Sequence, residues 1–243
     1  MVKPRLLVTR FAPHALRLAN QLNSQGIFAL AQPLLEVQNS AEFTNVHLLF
    51  TKTYDYIIAV SCNAVDYTAL ALAGNRWPAT RYLAVGKATQ AKLQSVTGQQ
   101  VIVPDAQFSS EGLLALPCLA QLQGKRVLIL RGVGGRELLA DRLTARGAAV
   151  DYYQPYQRVA LNLCGPLLVE QWQQQNINGA IISSIELLER LLDIVPESAL
   201  SWLKTLTIYA PSKRIAGHAR LSGWANAEVL PGMRDQQIVA YFK

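Results

Sequence analysis

Residues 126–158 read RVLILRGVGGRELLADRLTARGAAVDYYQPYQR. Val127–Leu130 is a continuous apolar run of the kind that buried strands carry. A glycine cluster follows at Gly132, Gly134 and Gly135. Leu138, Leu139 and Leu143 then recur at helical spacing up to a stop at Gly147. A second apolar strand ends at Pro155-Tyr156-Gln157-Arg158. The same plan occupies residues 5–33, RLLVTRFAPHALRLANQLNSQGIFALAQP. There Arg10, Leu18, Leu22 and Gly26 each stand 121 positions before Arg131, Leu139, Leu143 and Gly147. The chain therefore carries a duplicated β-α-β start.

Outward from these two starts, strands alternate with helices. The pattern predicts strands over Tyr56–Val60, Tyr82–Val85 and Val101–Val103, with a short helix over Glu42–Leu49. Helices are expected over Ala64–Leu72, from Gly86 to near Gly98, and from Ser109 or Ser110 toward Gln121. After Arg158 the units repeat. NGAIISSIELLERLL from Asn178 echoes YDYIIAVSCNAVDYTAL, Ser184 answering Ser61, and LTIYAPSKRIAGHARLSG echoes RYLAVGKATQAKLQSVTG. The expected fold is α/β, two doubly wound parallel-sheet domains of flavodoxin or Rossmann type. The first start has no partner strands nearby, so one domain is expected to be discontinuous, 1–33 with 163–243, and the other, 41–152, inserted in it. Segments 34–40 and 153–162 would cross side by side as a two-stranded linker, leaving a cleft between the lobes.

Composition excludes several classes. No apolar segment of the 243 residues reaches the ~18 a membrane span needs. The N-terminus runs straight into a strand without a signal-peptide pattern, so the expected compartment is the cytoplasm. Cys62, Cys118 and Cys164 are odd in number and scattered, which argues against a disulfide framework or a zinc site. The net charge of +7 suits a polyanionic partner. The Lys and Arg residues form no basic run and accompany no nucleic-acid motif, so a small polycarboxylate or phosphate explains the excess equally well.

In parallel sheets, ligands bind beyond the carboxyl ends of strands, where helix N-termini offer free N–H groups. That rule selects Arg10, Ser61, Asn63, Lys87, Thr89, Arg131, Gly132, Ser183, Ser184, Ser212 and Arg214. These are mainly hydroxyl or cationic residues, suited to holding carboxylates. The plainer reading of each Ser, Thr or Asn is a helix cap. Gly132-Val133-Gly134-Gly135 begins like a dinucleotide fingerprint, but Glu137 stands where the third glycine belongs. His14, His47 and His218 have no companions at ligand or triad spacing. Tyr156, at the second crossing between lobes, could donate a proton or pack on the hinge; on residue type alone the packing role leads slightly.

The stretch LRGVGGRELLADRLTARGAAVDYYQPYQR resembles the most recognisable segment of the uroporphyrinogen-III synthase family. LLVTR, AVSCNAV, AVGKAT and the Ser183-Ser184 turn are weaker matches, and the resemblance spans essentially the whole chain. It implies cyclisation of the linear tetrapyrrole hydroxymethylbilane to uroporphyrinogen III, with loss of water and inversion of ring D, without cofactor or metal. The family's important tyrosine maps onto Tyr156, thought to assist departure of the hydroxyl, and its cleft hydroxyls onto Ser61, Thr89 and Ser184. Where many members have a threonine at the last turn, this chain has Ser212-Lys213-Arg214, so Ser212 or Arg214 is expected to stand in as a carboxylate ligand. A monomer is expected, in transient contact with the enzyme that makes hydroxymethylbilane. The competing expectations are a two-lobed binding protein for a small polyanion and a nucleotide-dependent enzyme.

Overall fold

The computed structural model describes residues 3–243. In β1 (Arg5–Val8), Leu6, Leu7 and Val8 are all buried. Pro13 sits in the first turn of α1 (Ala12–Ser24), where a missing N–H costs nothing. That helix buries Ala15, Leu18, Ala19 and Leu22, a single stripe at 3.6-residue spacing. Gly26, with φ +76°, reverses the chain into β2 (Phe28–Ala31). Then come β3 (Leu35–Asn39), α2 (Val46–Leu49), β4 (Tyr56–Ala59), α3 (Cys62–Leu72), β5 (Arg81–Ala84), α4 (Lys87–Thr97), β6 (Val101–Ile102) and α5 (Ser110–Leu114). The second start follows as β7 (Arg126–Gly132), α6 (Leu138–Ala145) and β8 (Ala149–Ala160). The chain finishes with α7 (Gly165–Gln174), β9 (Gly179–Ile181), α8 (Ile185–Ile194), α9 (Leu200–Leu203), β10 (Thr207–Ala210), α10 (Lys213–Leu221), β11 (Ala227–Val229) and α11 (Asp235–Phe242).

These elements divide into two compact units, Met1–Glu36 with Val159–Lys243, and Val37–Arg158. The first holds a parallel sheet ordered β2-β1-β9-β10-β11. The other sheet reads β8-β7-β4-β5-β6 in parallel, with β3 beyond β8 at its edge. Strand for strand the two orders are the same, entered at different points along the chain. The duplication extends to register: Arg5 lies opposite Phe28 and Arg126 opposite Ala149. Side chains alternate between two apolar layers on each sheet. Leu7 enters one cluster and Leu6 and Val8 another, while Leu128 and Leu130 part from Val127 and Ile129 in the same way. Coverage on both faces is why the strands read as unbroken apolar runs. Each fully buried Leu or Ile contributes about 1.5–3 kcal/mol.

The helix expected from Ser109 or Ser110 toward Gln121 is a correction. Ser109 does cap α5, accepting from Gly112 N–H, but the helix stops at Leu114, and Pro117–Leu119 forms a separate 3₁₀ turn. Pro117 has no N–H to give the Leu113 carbonyl, and its ring clashes with it. Likewise the segment Glu42–Leu49 is a 3₁₀ turn at Phe43–Asn45 running into α2. All three cysteines are free thiols.

Candidate active site

The first structural feature of the site is a fault in a ladder. Residues 126–130 of β7 pair with 149–153 of β8 in even register, and then the pairing slips by one, so that Gly132 faces Tyr156. An unbroken register would set Pro155 there. The extra residue also reverses side-chain parity, so Tyr153 and Tyr156, three apart, join the same buried cluster. Pro155 suits the irregularity because it has no N–H to offer a ladder. Val133 N–H closes the slipped segment on the Tyr156 carbonyl at 2.8 Å.

Tyr156 is 4% exposed. Its hydroxyl lies 3.0 Å from Ser61 Oγ, and its ring packs on Tyr67 with centroids 5.5 Å apart. Tyr67 in turn donates to the Val37 carbonyl at 2.9 Å. Ser61 is the N-cap of α3, its Oγ accepting from Ala64 N–H at 3.1 Å. Ser61, Gly132, Tyr156, Arg131, Arg136 and Arg158 are among the residues lining a cavity of about 260 Å³.

Arg131 is the buried cation of this site, at 5% exposure. Its guanidinium donates to the carbonyls of Gly132 (3.3 Å), Arg136 (3.4 Å) and Gly134, and to Glu137 Oε1 (3.1 Å). It also lies 4.7 Å from the Tyr152 ring centroid. These four acceptors pair most of a planar five-donor group that would be costly to bury unpaired. The glycine cluster thus wraps a guanidinium with its carbonyls. The Tyr152 hydroxyl bond holds Glu137 below the usual carboxylate range, Arg131 adding to the effect and burial opposing it. Burial, with that same bond, pushes the Tyr152 phenol up to about 12.

Within this unit, Asn63 sits half-buried in the first turn of α3. Lys87 is exposed at the start of α4, its ammonium 5.8 Å from the Phe108 ring centroid. Thr89 is buried, with Oγ1 3.8 Å from Cys62 Sγ. The other unit holds the remaining candidates. Arg10 donates to Asp235 Oδ1 at 2.8 Å and to the Met233 carbonyl at 2.6 Å, beside a cavity of about 400 Å³ that Ser183 also lines. Ser184 and Ser212 cap α8 and α10, accepting from Leu187 and Ile215 N–H at 3.2 and 3.5 Å. Arg214 is exposed in the first turn of α10.

Sequence reasoning missed Tyr67, Arg136, Arg158 and Asp235. The two-residue spacing of Tyr156 and Arg158 along one strand was a readable signal for Arg158. Asp235 lies 225 positions from Arg10 and offered none. Among the described residues, no cluster of His, Cys, Asp and Glu could hold a metal ion, and no helix is long and apolar enough to cross a membrane.

A family model described as uroporphyrinogen-III synthase HemD matches residues 17–236. The chain is 35% identical over 230 residues to the uroporphyrinogen-III synthase of Escherichia coli K12, covering 92% of this chain and 94% of that one. The Salmonella typhimurium protein of the same name is 37% identical over the same length and shares. The chain belongs to the uroporphyrinogen-III synthase family. Solved structures agree on the fold. A mutant uroporphyrinogen III synthase from Thermus thermophilus superposes with a TM-score of 0.65 at 14% identity, over 98% of this chain and 97% of that one. The Helicobacter pylori uroporphyrinogen-III synthetase gives 0.63 at 14% identity, with the same coverage. The α/β fold with parallel sheets expected of the uroporphyrinogen-III synthase family is the one observed.

Proposed function

We propose that this protein is a uroporphyrinogen-III synthase that cyclises hydroxymethylbilane to uroporphyrinogen III, with loss of water and inversion of ring D. Identity of 35–37% across nine-tenths of the chain supports the reaction. For the site, the supporting observation is Tyr156, a phenol on a cavity wall with one hydroxyl partner and, among the described residues, no carboxylate bonded to it. Tyr156 gives its proton to the departing hydroxyl of the bilane, so that the C–O bond breaks with release of water and leaves an electrophilic azafulvene. The substituted carbon of ring D attacks it to form the spiro intermediate. Fragmentation and re-closure invert the ring, and the proton finally lost from carbon restores the phenol. Spontaneous closure needs no inversion, so the protein's larger task is to hold one geometry.

The helix N-termini carrying Asn63, Lys87, Thr89, Ser184, Ser212 and Arg214 hold substrate carboxylates by N–H, hydroxyl and cationic donors, and the one that Ser61 caps does so by its N–H groups. Arg10 and Arg131 are engaged by protein acceptors, and in this reading they shape the site more than they grip the substrate. The two units act as domains, with the chain passing between them at 36–37 and 158–159. The protein works as a cytoplasmic monomer without cofactor, fed by transient contact with the enzyme that makes hydroxymethylbilane. The test is to supply purified protein with hydroxymethylbilane and resolve the product isomers by chromatography. The type III isomer is expected; formation of type I alone, at the spontaneous rate, would remove the enzymatic reading.

A further inference from the structure

Three features converge on the Tyr156 hydroxyl, and none is explained by the fold alone. The first is the ladder slip, which brings Tyr156 rather than Pro155 opposite Gly132. The second is Gly132 itself. Its φ is not among the positive values that demand glycine, so its backbone would suit any residue. The space would not: a Cβ there would stand 2.6 Å from Tyr156 Cζ, 2.7 Å from Cε2 and 2.9 Å from Oη. Those atoms belong to the ring edge that carries the hydroxyl, and Tyr67 packs on the same ring. The third is the direction of the Ser61 bond. One lone pair of Ser61 Oγ is taken by Ala64 N–H. Its O–H is then the natural donor to Tyr156 Oη, 3.0 Å away. In that arrangement the tyrosine keeps its own proton for another acceptor, and the oxygen left behind after proton transfer faces a donor at the N-terminus of α3.

We propose that Gly132 and Ser61 are positioning residues for Tyr156. Gly132 leaves the room in which the phenol edge sits, and Ser61 donates to the hydroxyl so that its proton points to the substrate. The proposal rests on Tyr156 being the proton donor, and it is tested so that the two can fail separately.

Steady-state kinetics with isomer analysis are run on Tyr156→Phe, Gly132→Ala, the double variant, Ser61→Gly and Ser61→Thr, each checked for a native circular-dichroism spectrum and cooperative melt. Gly132→Ala is expected to lower kcat about 100-fold with KM changed by less than about threefold, the scale of a misplaced reacting group. In the Tyr156→Phe background the same Cβ still meets the ring, but no hydroxyl remains to misplace, so the double variant should turn over as Tyr156→Phe does. Ser61→Gly keeps a tolerated N-cap residue and loses the donor, and should lower kcat about tenfold or more. Ser61→Thr keeps both and should restore turnover. If Gly132→Ala lowers kcat by the same factor with and without the phenol, its effect is structural and the Gly132 assignment is wrong. Full kcat in Ser61→Gly overturns the Ser61 assignment. Should Gly132→Ala fail to fold, the contrast between the two Ser61 variants decides. Full turnover by Tyr156→Phe removes the proton-donor reading on which both rest, a result distinct from either positioning failure.

Discussion

At the residue scale, Asp235 shows how a single carboxylate ties sequence-distant parts of one unit together. Its Oδ1 accepts from Arg10 and its Oδ2 from Arg17 at 2.7 Å. Burial alone would raise this carboxyl, but the Arg17 and Arg10 bonds outweigh it and hold it below the ordinary value. A carboxyl depressed in the folded state adds stability above its unfolded value, near 4, and loses it as pH falls through the lower folded value. Asp235→Asn should therefore cost about 1–2 kcal/mol at neutral pH. Denaturant unfolding of both proteins across acid pH should show the difference shrinking below about pH 4. A difference unchanged down to the acid transition would mean the carboxylate charge is not what holds α11 to Arg10. Asp151 and Asp55 are depressed as well, so only the difference between the two proteins isolates Asp235. Nothing in the sequence pointed to this partner, because local pattern carries no information about a pair so far apart. Tyr156 was singled out through the family resemblance, whereas its place against Gly132 and Ser61 could not be read. Gly132 and Tyr156 meet only because β8 takes in one extra residue, and period-two reasoning places the wrong residue opposite the glycine.

At the scale of elements, most strands and helices could be read because parallel strands buried on both faces are apolar runs and helices carry one apolar stripe. What escaped was governed by single residues. Pro117 cut α5 short, and one extra residue in β8 shifted its register against β7. The glycine cluster also had to be seen in three dimensions. It looked like a phosphate cradle of N–H groups, yet its carbonyls point at Arg131. Lysine carries the same charge on one ammonium and cannot reach four acceptors with a planar fork. Arg131→Lys should then lower stability by about 1–3 kcal/mol, the loss of charge-assisted bonds in a buried setting. Amide exchange across residues 132–137 should quicken more than in β4 or β5. Uniform exchange in the variant would show that Arg131 stabilises the unit without ordering the loop.

At the scale of the molecule, the charge surplus and the duplicated plan each make a claim. A net charge of +7 facing a polycarboxylate substrate should make kcat/KM fall as salt rises, since the screening length drops from about 10 Å at 0.1 M to about 3 Å at 1 M. A flat salt profile would assign recognition to short-range bonds alone. The duplicated plan concerns folding. Each unit contains a complete five-strand parallel order and two apolar layers of its own. Val37–Arg158 is one uninterrupted stretch, of the size at which single domains fold independently. Excised, it should melt in one cooperative transition with native α/β circular dichroism. The other unit comes in two pieces whose ends lie side by side, Leu161 N–H donating to the Leu34 carbonyl at 3.1 Å. A short Gly-Ser bridge from Glu36 to Val159 should therefore close it at little entropic cost, and the bridged protein should melt cooperatively as well. If the excised stretch melts broadly and the bridged piece aggregates, the two cores depend on each other. The permuted repeat would then be a record of the chain's history and not a division of its stability.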